Sequence, residues 1–523
     1  MSDSGRVKKS VKNLIYGFLS QFIVLIFNFI VRIFFIRYLG ESYLGVNGLF
    51  SNILSILSLA ELGFGTAMIY NLYKPLATEN IDLICSLMRF YAKVYRIIGI
   101  IVFILGILIL PLLPFIIHND QHIDNISIIY LMFLMDSVLS YFFSYKRSIL
   151  NADQKAYVCS QYRYFFIILK SIVQIITLVK FKNFIVYLLV QILFTFLENV
   201  FISIRVNRMY PYIMKKNAIE LPSSILISIK KDINALILSK IANVALNGTD
   251  NIIITAFTSI KNTGILSNYT LISGSLTMII SQIGSAIVGS LGNFFAIEDE
   301  ERRYDLFKKI DFMYFIIYGF CFICMFILYN PFISTFFGGN LIFEAPVVFI
   351  FCTNYLLEGM LQSLWSFRTT MGLFVQGKYR PLISAIINII VSIILARYLG
   401  VFGVLLGTTI SRLFVNVWYD PYIIFKFGLK TSPRNYYISY CKRIIQLFMI
   451  TGILSIIKII FFNSIEYSLF QFILLLIITV FISIILLILP YLKSQEFRYF
   501  IQLIKNTLNG IKKLVKVLTI EKY

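Results

Sequence analysis

Asp136, Glu358 and Arg412 stand near the middle of long apolar runs, and Arg32, Lys170, Glu198 and Arg368 lie in similar runs nearer an end. An ionisable group in such surroundings is costly and marks a function or a partner: a cation can hold an anionic group, and an acid can take up a proton or a cation. Other reactive residue types offer less. Cys321 and Cys324 form a C-x-x-C inside an apolar stretch, without the loop context of a redox or zinc motif, and the remaining cysteines (Cys85, Cys159, Cys352, Cys441) sit in or beside apolar runs. His118 and His122 share one short loop with Asp120 and Asp124, a pattern that solvation explains. The sequence therefore predicts no catalytic residue, no metal site and no cofactor.

The elements that must position these charges follow from composition. Of 523 residues, 59% are hydrophobic and 14% charged, against about 25% charged in soluble domains. Apolar runs long enough to cross a hydrocarbon core of about 30 Å recur from end to end. The fold class predicted is an all-α polytopic membrane protein with about 14 transmembrane helices, at 14–36, 43–72, 94–117, 126–146, 160–179, 184–204, 232–258, 264–296, 311–337, 345–371, 381–396, 401–425, 443–463 and 467–492. The first run is too long for a signal-peptide core and lacks a small-residue cleavage site, so it is expected to stay as a spanning helix.

Lys and Arg number 47 against 25 Asp and Glu. With both termini cytoplasmic, only Arg37, Lys180, Lys182, Lys261 and Arg397 fall in outer loops, which fixes the orientation by the positive-inside rule. The net charge of +22 then needs no nucleic-acid partner. Beyond the last span, Phe497, Phe500, Ile501, Ile504, Leu508, Ile511, Val515 and Leu518 recur at helical spacing beside several lysines. This suits a basic amphipathic tail, 493–523, lying on the inner leaflet; a poorly ordered tail is the alternative.

Shifting the chain on itself by 222 residues aligns polar as well as apolar positions. Lys8 and Lys9 fall on Lys230 and Lys231, and Asp136, Ser144, Tyr145, Lys146, Gln154 and Tyr157 on Glu358, Ser366, Phe367, Arg368, Gln376 and Tyr379. Two homologous six-helix halves are expected, an N-lobe 1–206 and a C-lobe 232–425, joined by a cytoplasmic linker 207–231 and followed by two added helices in 426–492. Parallel repeats of this kind place a substrate path between them near the midplane. Gly17, Gln21, Asn28 and Arg32 line one side of the first helix; Lys240, Asn243, Asn247 and Asp250 form a matching stripe on the seventh. Such paired stripes suit a polar cavity, though interhelical hydrogen bonding explains Asn and Gln as well. Asp136 and Glu358, equivalent under the offset, suit either ion coupling or structural hydrogen bonding, and Asp250 is a third acid on the stripe.

The hairpin R-Y-L-G-E-S-Y-L-G (Arg37 to Gly45) with A-E-L-G-F-G (Ala60 to Gly65), then M-G-L-F-V-Q-G-K-Y-R-P (Met371 to Pro381) and G-V-F-G-V-L-L-G-T-T (Gly400 to Thr409), resembles the Wzx-type oligosaccharide flippases of bacteria over essentially the whole chain. This family belongs to the multidrug/oligosaccharidyl-lipid/polysaccharide exporter superfamily. The resemblance implies two lobes working by alternating access in the bacterial cytoplasmic membrane. It implies as cargo an undecaprenyl-diphosphate-linked oligosaccharide, a capsule, exopolysaccharide or O-antigen-like unit, moved from the inner to the outer leaflet without bond cleavage. By the same analogy Arg32, Lys240, Arg412 and Lys170 would meet the diphosphate, while Gln21, Asn28, Asn243 and Asn247 would line the cavity. Membrane lipids, and a polymerase and glycosyltransferases of the same pathway, are the implied partners, with a monomer as the transporting species. A multidrug or lipid II exporter of the superfamily and a membrane polysaccharide polymerase are the alternatives; the outer loops are short for the latter. With the native cysteines replaced, Lys216→Cys in intact cells is expected to resist a membrane-impermeant thiol reagent, and labelling from outside would overturn this topology.

Overall fold

The computed structural model describes residues 22–61, 64–117, 125–153, 155–214, 221–223, 225–227, 229, 241, 248–297, 300–373, 376–377, 379–462, 467–502 and 505. Its elements are α1 (Phe22–Leu39), α2 (Glu41–Leu57), α3 (Phe64–Ala77), α4 (Ile81–Ile109), α5 (Ile126–Ala152), α6 (Ala156–Phe181), α7 (Phe184–Met209), α8 (Asp250–Phe257), α9 (Ile260–Ile297) and α10 (Glu300–Phe336). There follow α11 (Ala345–Met360), α12 (Gln362–Thr370), α13 (Arg380–Ser411), α14 (Val417–Ile423), α15 (Arg434–Phe461) and α16 (Leu469–Ile488). No strand occurs among the described residues.

Among the described residues, eleven segments are long and apolar enough to cross a membrane. One of them, Arg380–Leu429, is broken at Gly400 and accounts for two expected spans. The remaining two expected spans correspond to α9 and to 232–258, of which α8 is the described end. The chain is a multi-pass, all-α membrane protein. Several helices begin earlier than the apolar pattern predicts. α4 starts at Ile81 because the Asn80 side chain accepts from the Leu83 N–H and supplies a cap, so charged turns around Arg89, Lys93 and Arg96 extend the helix. α10 likewise starts at Glu300, a charged first turn placed before its apolar stretch. The expected span 43–72 is divided by a tight 3-10 turn at Ser58–Glu61. The amphipathic tail lies outside the described residues beyond 505.

Left-handed glycines set two of the hairpins. Gly40 (φ 85°) ends α1, and Gly400 (φ 56°) breaks α13; each closes the same tetrapeptide, Arg37-Tyr38-Leu39-Gly40 and Arg397-Tyr398-Leu399-Gly400. Without a Cβ this conformation carries no steric penalty, so a helix can stop and reverse within one residue.

Two compact units result, Met1–Ile279 with Asn388–Val404, and Ile280–Ile387 with Leu405–Tyr523. In the first, α5 is the central helix, packed by α3, α4 and α7. Phe50 meets Tyr130 and Phe133 at ring distances of 5.2 and 5.7 Å, and the Tyr130 hydroxyl donates to Gly106 O at 3.0 Å. In the second, α10 is the core, packed by α11, α15 and α16. Its most apolar window is 67% buried, against 11% for α1, so α10 is protein-facing where α1 is largely open to its surroundings.

One crossing in the first unit joins the two sequence halves. Gly45 of α2 lies against the Ile260 carbonyl, Gly264 of α9 lies against the Glu41 carbonyl, and Lys261 pairs with Glu41 at 2.8 Å. Small residues allow such backbone approach where no hydrophobic force drives association. A Cβ on Gly264 would overlap Glu41 O and come within 2.9 Å of Gly45 N, whereas one on Gly274, in the same helix, meets nothing within 4 Å. Gly264→Ala is therefore expected to destabilise the protein by about 1–3 kcal/mol through overpacking. Gly274→Ala should be neutral or stabilising by up to about 1 kcal/mol through helix propensity. Thermal unfolding in detergent compares the two, and equal effects would refute the crossing.

Candidate functional site

Several charges inside the second unit are paired. Arg412 opens a π-helical stretch, Arg412–Asn416, between α13 and α14. Its Nη2 donates to Glu358 Oε2 at 2.8 Å, and its Nη1 to the Asn354 carbonyl on α11. The Asn354 side chain is held in turn: Thr409 donates to its Oδ1 at 2.9 Å, and its Nδ2 donates to Leu405 O at 2.8 Å. The Glu358 side chain keeps 41% of its surface exposed while Arg412 keeps 16%, so the acid is the open member of the pair. A carboxylate so exposed belongs toward a polar space rather than toward lipid.

The equivalent acid in the first unit has different company. Asp136 on α5 accepts from Gln191 Nε2 of α7 at 2.9 Å, and its other oxygen is buried with no hydrogen-bond donor among the described residues. Lys170 on α6 lies close enough to Asp136 and Glu198 to interact with both charges, without a direct ion pair to either. Glu198 itself is paired with Arg147 at 2.9 Å, and Arg147 also donates to Asn199 Oδ1 at 2.8 Å. Buried polar atoms without partners are rare, and one on a carboxylate marks a place for a proton, a water or an ion.

The two halves thus repeat a contact scheme. Asp136–Gln191 corresponds to Glu358–Arg412, and Arg147–Glu198 to Arg368–Asp420. The acids are displaced by 222 residues and their partners by 221. Sequence comparison aligned Lys146 with Arg368, whereas Arg147 makes the corresponding ion pair; Lys146 donates to Ser203 at 2.5 Å. The C-terminal half has one residue more between Arg412 and Asp420 than lies between Gln191 and Glu198, and the π turn, which holds an additional residue per turn, absorbs it. The opposite change, one residue fewer between Glu358 and Arg368, falls where α11 gives way to α12 at Leu361.

Asp420 was not among the sequence candidates, although the 222 offset from Glu198 points to it. Its side chain is fully buried and accepts from Trp365 Nε1 at 3.0 Å and from Arg380 Nη1, with Arg368 Nη1 3.7 Å away. Arg368 also donates to Leu373 O at 3.0 Å, and the Arg380 guanidinium stacks over Trp365 at 5.6 Å. One carboxylate thus ties together α12, the start of α13, and α14. Arg443 and Asp311 form a second pair absent from the sequence reading, at 2.5 Å, with Ser363 donating to Asp311 at 2.7 Å.

Arg32 is the cation with a different setting. It donates to Ser267 Oγ at 2.8 Å and to Asn268 Oδ1 at 3.4 Å, both on α9, and has no carboxylate partner among the described residues. Asn28, one turn away on α1, is exposed, and Asp250 begins α8 half-buried. Gln21, Lys240, Asn243 and Asn247 lie outside the described residues.

No protein-family profile and no curated protein sequence matches the chain. Solved structures do. A lipid II flippase, MurJ, in an inward closed conformation superposes with a TM-score of 0.65 at 15% identity, over 91% of this chain and 99% of that one. A multidrug resistance MATE family transporter of the MOP superfamily, inward-facing, gives 0.61 at 14% identity over 80% and 99%. The Vibrio cholerae MATE transporter VcmN in its bent form gives 0.52 at 11% identity over 81% and 98%. The chain has the fold of these transporters.

Within that fold the ion pairs separate by burial. Asp420→Asn leaves two guanidiniums around a neutral amide in a fully buried place, and is expected to cost about 3–5 kcal/mol, as breaking buried pairs does. Asp136→Asn faces a neutral Gln191 and is expected to cost less than half as much. Unfolding of both variants in one detergent checks the order, and an equal loss would show that the Asp420 cluster does not hold the second unit together.

Proposed function

We propose that this chain is a flippase that moves an undecaprenyl-diphosphate-linked oligosaccharide from the inner to the outer leaflet of the bacterial cytoplasmic membrane by alternating access. The observation that carries the reading is Arg32, a half-buried guanidinium held by a serine and an asparagine and with no carboxylate partner among the described residues. Held by neutral groups, it keeps its full charge for an incoming anion, and a guanidinium suits the oxygens of a diphosphate. Arg412 is engaged by Glu358 and Lys170 lies beside two acids, so we assign the diphosphate first to Arg32, with Lys240 of the matching stripe as its partner.

The sequence halves, 1–206 and 232–425, are the bodies proposed to rock about the linker 207–231, both termini being cytoplasmic. The Gly45–Gly264 crossing, which joins residues of both halves and sits beside outer-loop Lys261, would have to part for cargo to leave outward. Asp136, with one oxygen open, is the better ion-coupling candidate of the two equivalent acids, because Glu358 already neutralises Arg412. A second reading, lipid II as cargo, is favoured by the 91% coverage with the MurJ structure.

Reconstituted proteoliposomes distinguish these. Arg32→Gln is expected to lower flipping of a diphosphate-linked oligosaccharide at least ten-fold, with partial recovery in Arg32→Lys and unchanged unfolding temperature. Asp136→Asn should keep basal flipping and lose its acceleration by an imposed ion gradient. Full transport by Arg32→Gln would overturn the assignment, and preference for a pentapeptide-bearing cargo would select the lipid II reading.

A further inference from the structure

Pro331 stands inside α10, where it has no N–H to return to the carbonyl of Ile327, four residues earlier. An open carbonyl in apolar surroundings needs a donor from elsewhere. Lys458 of α15 provides it, with Nζ donating to Ile327 O at 3.2 Å. The lysine therefore turns into the second unit rather than running along the helix toward water. An ammonium has three donors and this bond uses one. No carboxylate lies within ion-pair distance of Lys458 among the described residues.

Beside that ammonium is a cavity of about 340 Å³. Phe326, Val348 and Phe462 give it apolar walls, and Asn330, Ser455 and Tyr467 join Lys458 in its lining. Each of these three polar side chains donates to a backbone carbonyl: Asn330 to Phe343 O, Ser455 to Thr451 O and Tyr467 to Phe462 O. The positive charge is thus carried by the lysine alone. Ile459 lines the cavity and is also 64% exposed, in a row with exposed Ile456, Ile460 and Phe461, so the rim lies on a strongly apolar outer surface. Lys458 is three residues from the end of α15, a depth of about 5 Å below the helix terminus, where lipid headgroups meet the hydrocarbon.

We infer that this cavity binds the phosphate of an anionic membrane lipid, with Lys458 as its charge partner and the apolar walls receiving the first part of a chain. The site belongs to α10, α11 and α15, and is independent of Arg32 and of the cargo. The helix proline, the lysine that answers its open carbonyl and the cavity form one construction: the residue that satisfies the carbonyl also presents a cation at headgroup depth.

Native mass spectrometry of the full chain in detergent, with phosphatidylglycerol and phosphatidylcholine at equal ratio, reads the site. The parent is expected to retain one phosphatidylglycerol in preference to phosphatidylcholine. Lys458→Gln should lower that retention at least ten-fold; its amide N–H still reaches toward Ile327 O, and an unchanged unfolding temperature verifies the fold. Lys458→Arg should keep the lipid, and Ala345→Phe, which fills the lining with the charge intact, should lose it. Equal retention by the parent and Lys458→Gln, or no preference between the two lipids, overturns the proposal. Displacement by millimolar inorganic phosphate would assign the site to free phosphate and reject the lipid source.

Discussion

Hydrocarbon gives an ionised side chain nothing in exchange for its lost water, and the interior of this protein is arranged around that constraint. Asp420 is enclosed by two arginines and an indole N–H and Asp311 by Arg443 and a serine, while Glu198 pairs with Arg147 and the more exposed Glu358 with Arg412. Each pair bridges helices that are distant in sequence, so the ion pairs also determine which helices are neighbours. Buried pairs of this kind add little net stability over an apolar core, but loss of one member strands the other.

Much of this was legible in the residues. Apolar length marked the spans, because it is a local property that a linear sequence carries directly. Asp136 and Glu358 stood out for the same reason. Their difference did not: it depends on Gln191 and Arg412, which sit on other helices and fall one residue out of register under the offset. The Asp420 cluster was missed because neither Asp420 nor Arg380 was singled out beside Arg368, although a copy of Glu198 at position 420 was present in the repeat. The helix starts at Ile81 and Glu300 were missed because charged turns add helix without adding hydropathy. Lys458 lies outside the repeat and Pro331, 127 residues earlier, is what gives it a role.

The two sets of matching contacts differ in how their acids are satisfied. Two equivalent positions carry a paired acid and an arginine in one half, and an incompletely satisfied acid with a glutamine in the other. Pseudo-symmetry supplies the scaffold, and departure from it leaves one carboxylate with a function still open to it. Arg32 stands apart among the cations, being held by neutral side chains where Arg368, Arg380, Arg412 and Arg443 are held by acids.

The π turn at Arg412–Asn416 also has a consequence for register. An extra residue in an α-helix would ordinarily turn every later side chain by about 100° and scramble the contacts beyond it. Here the widened turn swallows the addition, and Asp420 arrives in the place that Glu198 holds in the other half. Such a turn uncouples length from register: a duplicated membrane domain can gain or lose a codon within a span while the residues on either side keep their old neighbours.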